Sequence, residues 1–257
     1  MSKMVLGLLQ EYEVAAVQAE QIKYPLQASQ GLHRVLVVTG DNIEEMLEEA
    51  ADGADSIRNY VEKQLRQAES LSTSDVLKKV VADSLGDSGL PIINNKHDDL
   101  RSAYKAYAAL WAEQPELVDE QLVNVEEEGS VLQEPLPDAA WVERNEEGGL
   151  LLLDLPEADA WTAPLIIPMG GYNECPQPVE QAALFRDWQK RYGAVPTAVT
   201  EDSWLLRAAR LPESDEEALE LAREHFMFCS YVLERFASIG AYAAYLKRSS
   251  NWSFWWD

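Results

Sequence analysis

The segment "NWSFWWD" at residues 251–257 carries three tryptophans and a phenylalanine within seven residues. Left in water, these rings would form an apolar patch of the kind that aggregates or binds a partner. Side chains alternate between the two faces of an extended strand. One face would carry Trp252, Phe254 and Trp256, and the other Ser253, Trp255 and Asp257. We expect a final strand that closes a sheet as a structural aromatic tail, with a ligand-binding aromatic platform as the alternative.

The rest of the second half supports this sheet. Three apolar runs predict strands: "AAWVERN" and "GLLLLDL", joined as a hairpin by "NEEGG", and then "APLIIPM". Two further strands are expected on either side of Thr200–Asp202. Pro178 and Gly193 mark the start and end of a helix, and Ser214 with Glu217 begins a long helix, residues 215–236. A shorter helix, residues 239–247, precedes the tail.

The first half reads as mostly helical, with one short strand at Val35–Thr39. Helices are predicted over residues 5–19, after Asp41, and over three later segments, which are 56–70, 74–85 and 98–113. Residues 114–138 are acidic and punctuated by prolines, as expected of a boundary. The predicted organisation is a helical region, residues 1–132, and an α+β domain, residues 133–257, in which helices pack on a mixed sheet.

Charge limits the possible partners. The chain has 45 acidic and 21 basic residues among 257, a net charge of −24, and both halves share the excess. Nucleic acids and anionic membranes are poor partners for such a surface, because binding them needs clustered Lys and Arg. A basic protein would be attracted instead. Simple solubility is the alternative explanation of the charge.

The compartment is predicted to be the cytoplasm. Two cysteines, Cys175 and Cys229, are too few for a disulfide framework. The first residues, "MSKMVLGLLQEYE", contain an apolar run too short for a secretory signal. No segment approaches the roughly 18 apolar residues that suggest a membrane span.

One group of residues could carry chemistry. Helical spacing would place His225 and Cys229 one turn apart on the long helix. With Cys175 they could bind zinc, or a thiol could pair with the imidazole as a nucleophile. Asn173 and Glu224 complete this candidate site. The alternative is that Cys229 is a buried apolar residue and His225 a hydrogen-bonded core residue.

Four motifs in the second half carry a family resemblance. They are "GGYNECPQP" (170–178), "WQKRYGAVPTAVTEDSWLL" (188–206), "ARLPESDEEALELAREHFMFC" (209–229) and the terminal "NWSFWWD". In combination they resemble a bacterial domain of unknown function, family four-two-five-three. The resemblance covers the last 90–120 residues or so, a normal domain size. One departure is that Ser230 and Tyr231 follow Cys229, where the family commonly has Pro-Asp.

The resemblance implies no established activity. Members of the family resemble proteins of interbacterial toxin and immunity loci, where small cytoplasmic proteins neutralise a cognate toxin. It therefore implies a non-enzymatic immunity protein that blocks a basic toxin by occlusion, without a cofactor. Two alternatives remain open: a small enzyme that depends on zinc or on a thiol, using Cys175, His225 and Cys229, and a structural adaptor.

Overall fold

The computed structural model describes residues 3–87, 99–112 and 149–257. Residues 3–112 contain the strands β1 (Glu13–Val17) and β2 (Leu32–Thr39) and the helices α1 (Lys3–Leu8), α2 (Asp41–Asp52), α3 (Ile57–Ser70), α4 (Thr73–Asp87) and α5 (Leu100–Ala112). Residues 149–257 contain the strands β3 (Gly149–Pro156), β4 (Val195–Val199), β5 (Ser203–Arg207) and β6 (Asn251–Trp255) and the helices α6 (Ala163–Ile166), α7 (Pro178–Tyr192), α8 (Asp215–Phe228) and α9 (Ile239–Leu246). Short 3₁₀ turns cover Ala19–Gln21, Glu157–Thr162 and Ser230–Arg235.

The strands form one mixed sheet in the order β1-β3-β2-β4-β5-β6. Strands β2 and β4 are parallel, with Leu36 opposite Ala198, and the other neighbours are antiparallel. Helices pack on the face that carries the larger apolar core. The predicted α+β class with a mixed sheet and packed helices is therefore confirmed.

Strand β2 lies in the middle of the sheet because both of its faces are apolar. Val35 and Val37 pack into the core beneath the helices, and Leu36 and Val38 pack into a smaller cluster on the opposite face. All four are at most 1% exposed. A continuous run of branched apolar residues is typical of a strand buried on both faces. The predicted strand at Val35–Thr39 is confirmed and begins earlier, at Leu32.

The predicted helix over residues 5–19 is wrong. Helix α1 ends at Leu8, and residues 13–17 form β1, which pairs with β3 from Glu13 opposite Asp154 to Val17 opposite Leu150. The described residues up to 112 therefore contribute two strands, where the sequence predicted one. Helices close to the other predicted bounds are confirmed, and Ser56 caps α3 by accepting a hydrogen bond from the Asn59 N–H. No helix described here is long and apolar enough to cross a membrane.

The second half contains one error in strand prediction. The first four residues of "APLIIPM" form the buried helical turn α6, and the other three form no strand, whereas "AAWVERN" lies outside the described residues. The hairpin β4–β5 and the strand β3 are confirmed. Helix α7 begins at Pro178 and ends before Gly193, whose φ of +60° is the left-handed conformation that terminates helices.

The long helix predicted over residues 215–236 ends early, at Phe228. Ser214 caps its start, as predicted, by accepting from the Glu217 N–H. Cys229 then adopts an extended conformation, and a 3₁₀ turn follows over Ser230–Arg235. This end of the helix affects the candidate site, because Cys229 does not share a helical face with His225, as the prediction required.

The tail forms the edge strand β6. Trp252, Phe254 and Trp256 are at most 1% exposed and pack into the core, and the Phe254 ring stacks 5.5 Å from Trp188. Trp255 lies partly buried on the opposite face, against Tyr231. The alternation of the tail therefore places three of its aromatic side chains under the helices.

Candidate binding cleft

His225 lies in an aromatic core and not in an open site. Its side chain is fully buried on α8, with Nδ1 2.8 Å from the Tyr242 hydroxyl oxygen. The rings of Trp188 and Trp252 lie 4.8 and 4.6 Å from it, centroid to centroid. Burial, with a further effect from Arg191, lowers the pKa of His225 well below its usual value. The imidazole is therefore neutral at neutral pH.

Cys229 turns away from His225. Its thiol donates to the Trp255 carbonyl oxygen at 3.0 Å, which joins the end of α8 to β6. Burial raises the pKa of Cys229 to about 12. A thiol in this state is protonated at neutral pH and is a poor nucleophile.

Cys175 lies in the loop before α7. Its sulfur accepts from Gln181 Nε2 at 3.5 Å and lies 3.8 Å from Met169 Sδ. Burial raises its pKa well above the usual value, with a further contribution from nearby Cys229. In the described parts of the chain, no three His, Cys, Asp or Glu side chains form a group that could hold a metal ion. The zinc hypothesis gains no support from these contacts.

Glu224 joins two helices. Its carboxylate accepts from both terminal nitrogens of Arg191 at 2.8 Å and from Trp188 Nε1 at 3.1 Å. Burial opposes the charge on Arg191, but the hydrogen bonds and negative charge of Glu224 raise its pKa above the usual value. Such a bidentate pair fixes geometry as well as charge. Glu224 therefore holds α8 against α7.

The fifth candidate residue, Asn173, lies in a different place, at a cleft of about 530 Å³. The cleft is formed by one face of α2, the loop at residues 170–173, the turn after β4 and the end of β6. The last three segments belong to the motifs "GGYNECPQP", "TEDSW" and "NWSFWWD". Three stretches that are distant in the sequence therefore meet here.

Backbone conformation shapes the loop at residues 170–173. Gly170 has a φ of +121°, and a Cβ added there would lie 2.5 Å from the Pro176 carbonyl oxygen. No side chain fits in that space. Asn173 also has a positive φ, of 47°, which asparagine tolerates better than most residues. The sequence of the loop thus permits its sharp path beside the tail.

Polar contacts hold the segments of the cleft together. The Asn173 side-chain amide donates to the backbone oxygen of Asp257, and the Tyr172 hydroxyl donates to the Glu201 carbonyl oxygen. Trp255 Nε1 donates to Asp202 Oδ2 at 3.0 Å. The loop, the turn and the tail are therefore fixed relative to one another.

The charge of the cleft is of one sign. Its lining includes the carboxylates of Glu45, Glu49, Glu201, Asp202 and Asp257. The described residues that line it include no Lys, Arg or His. Aromatic residues Tyr172, Trp255 and Trp256 complete the lining. We call this site the acidic cleft; carboxylates beside aromatic rings are the groups that attract ammonium and guanidinium ions.

Burial at the cleft also affects Tyr172. Burial raises the pKa of its hydroxyl, and the negative charges of Asp202 and Glu201 add to the shift. The hydroxyl therefore stays protonated and continues to donate to Glu201. This contact anchors the loop to the turn after β4 at all physiological pH values.

Sequence reasoning missed most of the acidic cleft. It identified Asn173 and Asp257, but not the carboxylates on α2 or in the turn after β4. The spacing of Glu45 and Glu49 places them on one helical face, a local signal that was available. Their meeting with the tail depends on tertiary packing, which no local pattern reveals.

The fold and cleft define an acidic α+β protein in which three of the four motifs contribute to one negatively charged cleft. Residues 151–257 match the family model described as Domain of unknown function (DUF4253). The resemblance stated from the four motifs is therefore confirmed for the C-terminal part of the chain. No curated protein and no solved structure gives a significant match.

Proposed function

We propose that the protein is a non-enzymatic binding protein that holds a basic partner at the acidic cleft. In this proposal it acts in the cytoplasm as an immunity protein and occludes the active surface of a cognate interbacterial toxin. The observation that carries the proposal is the acidic cleft itself, with five carboxylates and no cationic side chain among its described lining residues. Unneutralised carboxylates in a concave site concentrate positive charge.

The geometry of the carboxylates favours a side chain over a metal ion. Glu45 and Glu49 lie on α2, whereas Glu201 and Asp202 lie beyond the end of β4. In the described residues no three of these groups converge as a metal would require. Carboxylates spread around a cavity with aromatic walls suit lysine or arginine side chains that enter from a partner. The overall charge of −24 would speed the encounter.

A paired-variant binding experiment tests this proposal. The cleft variant Glu45→Gln/Glu49→Gln removes two exposed carboxylates one helical turn apart on α2. The control Glu216→Gln/Glu220→Gln makes the same charge change, at the same spacing, on α8 outside the acidic cleft. The partner is captured from the host with tagged wild-type protein, purified, and titrated against all three proteins at low and high salt.

We expect the cleft variant to bind about tenfold more weakly, which corresponds to about 1.4 kcal/mol. The control should stay within about twofold of the wild type, and added salt should weaken wild-type binding. Equal losses in the two variants would assign the attraction to net charge alone. Equal affinities in all three proteins would reject the acidic cleft as the binding surface.

A further inference from the structure

The two edges of the sheet differ in how their backbone groups are satisfied. At β6, the Tyr245 hydroxyl donates to the Asn251 carbonyl oxygen at 3.0 Å. The Cys229 thiol donates to the Trp255 carbonyl oxygen, also at 3.0 Å. Exposed edges are sites where another chain can pair, and covering them prevents this. Side chains from the end of α8 and from α9 thus occupy two carbonyl oxygens of this edge.

The edge at β1 is open by comparison. Strand β3 pairs with one side of β1 along its whole length. Within residues 3–87, 99–112 and 149–257, no hydrogen bond reaches the other side of β1. Glu13, Ala15 and Ala16 are exposed. Alternate peptide groups of such a strand point away from the sheet and can pair with an added strand.

Strand β1 also lacks three of the usual protections of an edge. Its sequence, "EVAAV", contains no proline and no lysine, and its pairing with β3 runs without a bulge. These are the devices by which natural sheets block edge pairing. The two exposed alanines leave the backbone accessible, because their side chains are small.

The charge around β1 selects the occupant. Glu11, Glu13 and Glu20 lie at or beside the strand, and Arg58 forms an ion pair with Glu11, at 3.4 Å. A second copy would bring another net charge of −24 to this edge, which opposes self-pairing. We propose that β1 accepts an extended, lysine- or arginine-bearing segment of a basic protein as a seventh strand. This surface is separate from the acidic cleft and shares with the proposed function only the positive charge of the partner.

A model peptide tests this inference. The probe is a nine-residue peptide in which lysine alternates with threonine, added to ¹⁵N-labelled protein. We expect the amide signals of residues 13–17 to shift and to gain protection from hydrogen exchange. A control peptide with the same side chains and every peptide nitrogen methylated has no backbone N–H to donate to a strand. It should bind at least tenfold more weakly.

Protein variants add a second arm. Ala16→Pro disrupts the edge, whereas Ala19→Pro changes a nearby exposed alanine at the first position of a 3₁₀ turn, where proline is tolerated. Only Ala16→Pro should weaken peptide binding. If that variant does not fold, the comparison of the two peptides on wild-type protein decides the question.

Two results would overturn the inference. Equal binding of the methylated and unmethylated peptides would show that backbone pairing is not involved. Shifts confined to the acidic cleft, around Glu201 and Asp202, would reject β1 as the docking edge while supporting the proposed function. Conversely, unchanged partner affinity in Glu45→Gln/Glu49→Gln, with the peptide-induced shifts at β1 retained, would reject the cleft and leave this inference standing.

Discussion

Replacing Trp252 by alanine tests how much stability depends on the tail. The Trp252 side chain is 0% exposed, and its ring lies 4.6 Å from His225, 5.6 Å from Tyr192 and 5.9 Å from Trp188. These neighbours lie on two helices, so the site cannot collapse without moving both. Removing a buried tryptophan costs about 3–5 kcal/mol.

That loss is a large part of the stability of a typical domain, whose free energy of unfolding is about 5–15 kcal/mol. The melting temperature of a chain of this size falls by about 2–4 °C for each kcal/mol. We therefore expect Trp252→Ala to lower it by roughly 6–20 °C. Urea unfolding followed by circular dichroism gives the free energy directly.

Trp255 provides the matched control on the same strand. It is partly buried on the opposite face, with its ring 5.2 Å from Tyr231 and one hydrogen bond to Asp202. Trp255→Ala should cost only about 1–2 kcal/mol. Similar losses for the two variants, or a loss below about 1 kcal/mol for Trp252→Ala, would refute the assignment of Trp252 to the core.

Two further predictions concern buried polar groups. Glu224→Gln should lower the free energy of unfolding by about 1–2 kcal/mol, because Arg191 loses its bidentate carboxylate and keeps the carboxylate of Asp187, at 3.3 Å. The exposed control Glu220→Gln should change it by less than about 0.5 kcal/mol in the same urea assay. The pKa of His225 is lowered in the folded chain, so below about pH 6.5 the unfolded chain binds a proton that the folded chain does not. The free energy of unfolding should therefore decrease as the pH is lowered, by up to about 1.4 kcal/mol per pH unit. Unfolding at pH 7.5, 6.5 and 5.5 should show this slope in the wild type and a smaller one in His225→Gln; equal slopes would contradict the buried neutral imidazole.

Local signals in the sequence predicted the helices that begin or end at capping, proline or glycine residues. Ser56 and Ser214 act as helix caps, and Pro178 with Gly193 bounds α7. Alternation predicted β6 because its period is specific to strands. These features depend on residues close together in the chain, so the sequence alone was sufficient.

The errors arise where distant residues decide the structure. Residues 13–17 have a pattern compatible with a helix, but pairing with β3, more than 130 residues later, makes them a strand. Helix α8 ends at Phe228, and the thiol of Cys229 contacts the tail instead of the helix face. Competing tertiary contacts of this kind override local propensity.

The acidic cleft was predictable in charge but not in position. Composition alone indicated a preference for cations, and the motifs indicated Asn173 and the tail. The contribution of Glu45 and Glu49 required α2 to pack beside the loop and β6. A local sequence pattern does not predict that packing, because the segments are separated by more than 100 residues.

The central position of β2 has a consequence for synthesis on the ribosome. Both of its neighbours are made later, and the contact between Thr39 and Gly149 spans 110 residues. At about 5–20 residues per second, Val35–Val38 would wait roughly 6–20 s for a partner strand. During that interval a run of branched apolar residues is exposed in the nascent chain, where it favours aggregation. A chaperone that covers this middle strand of the finished sheet during synthesis would therefore protect the growing chain.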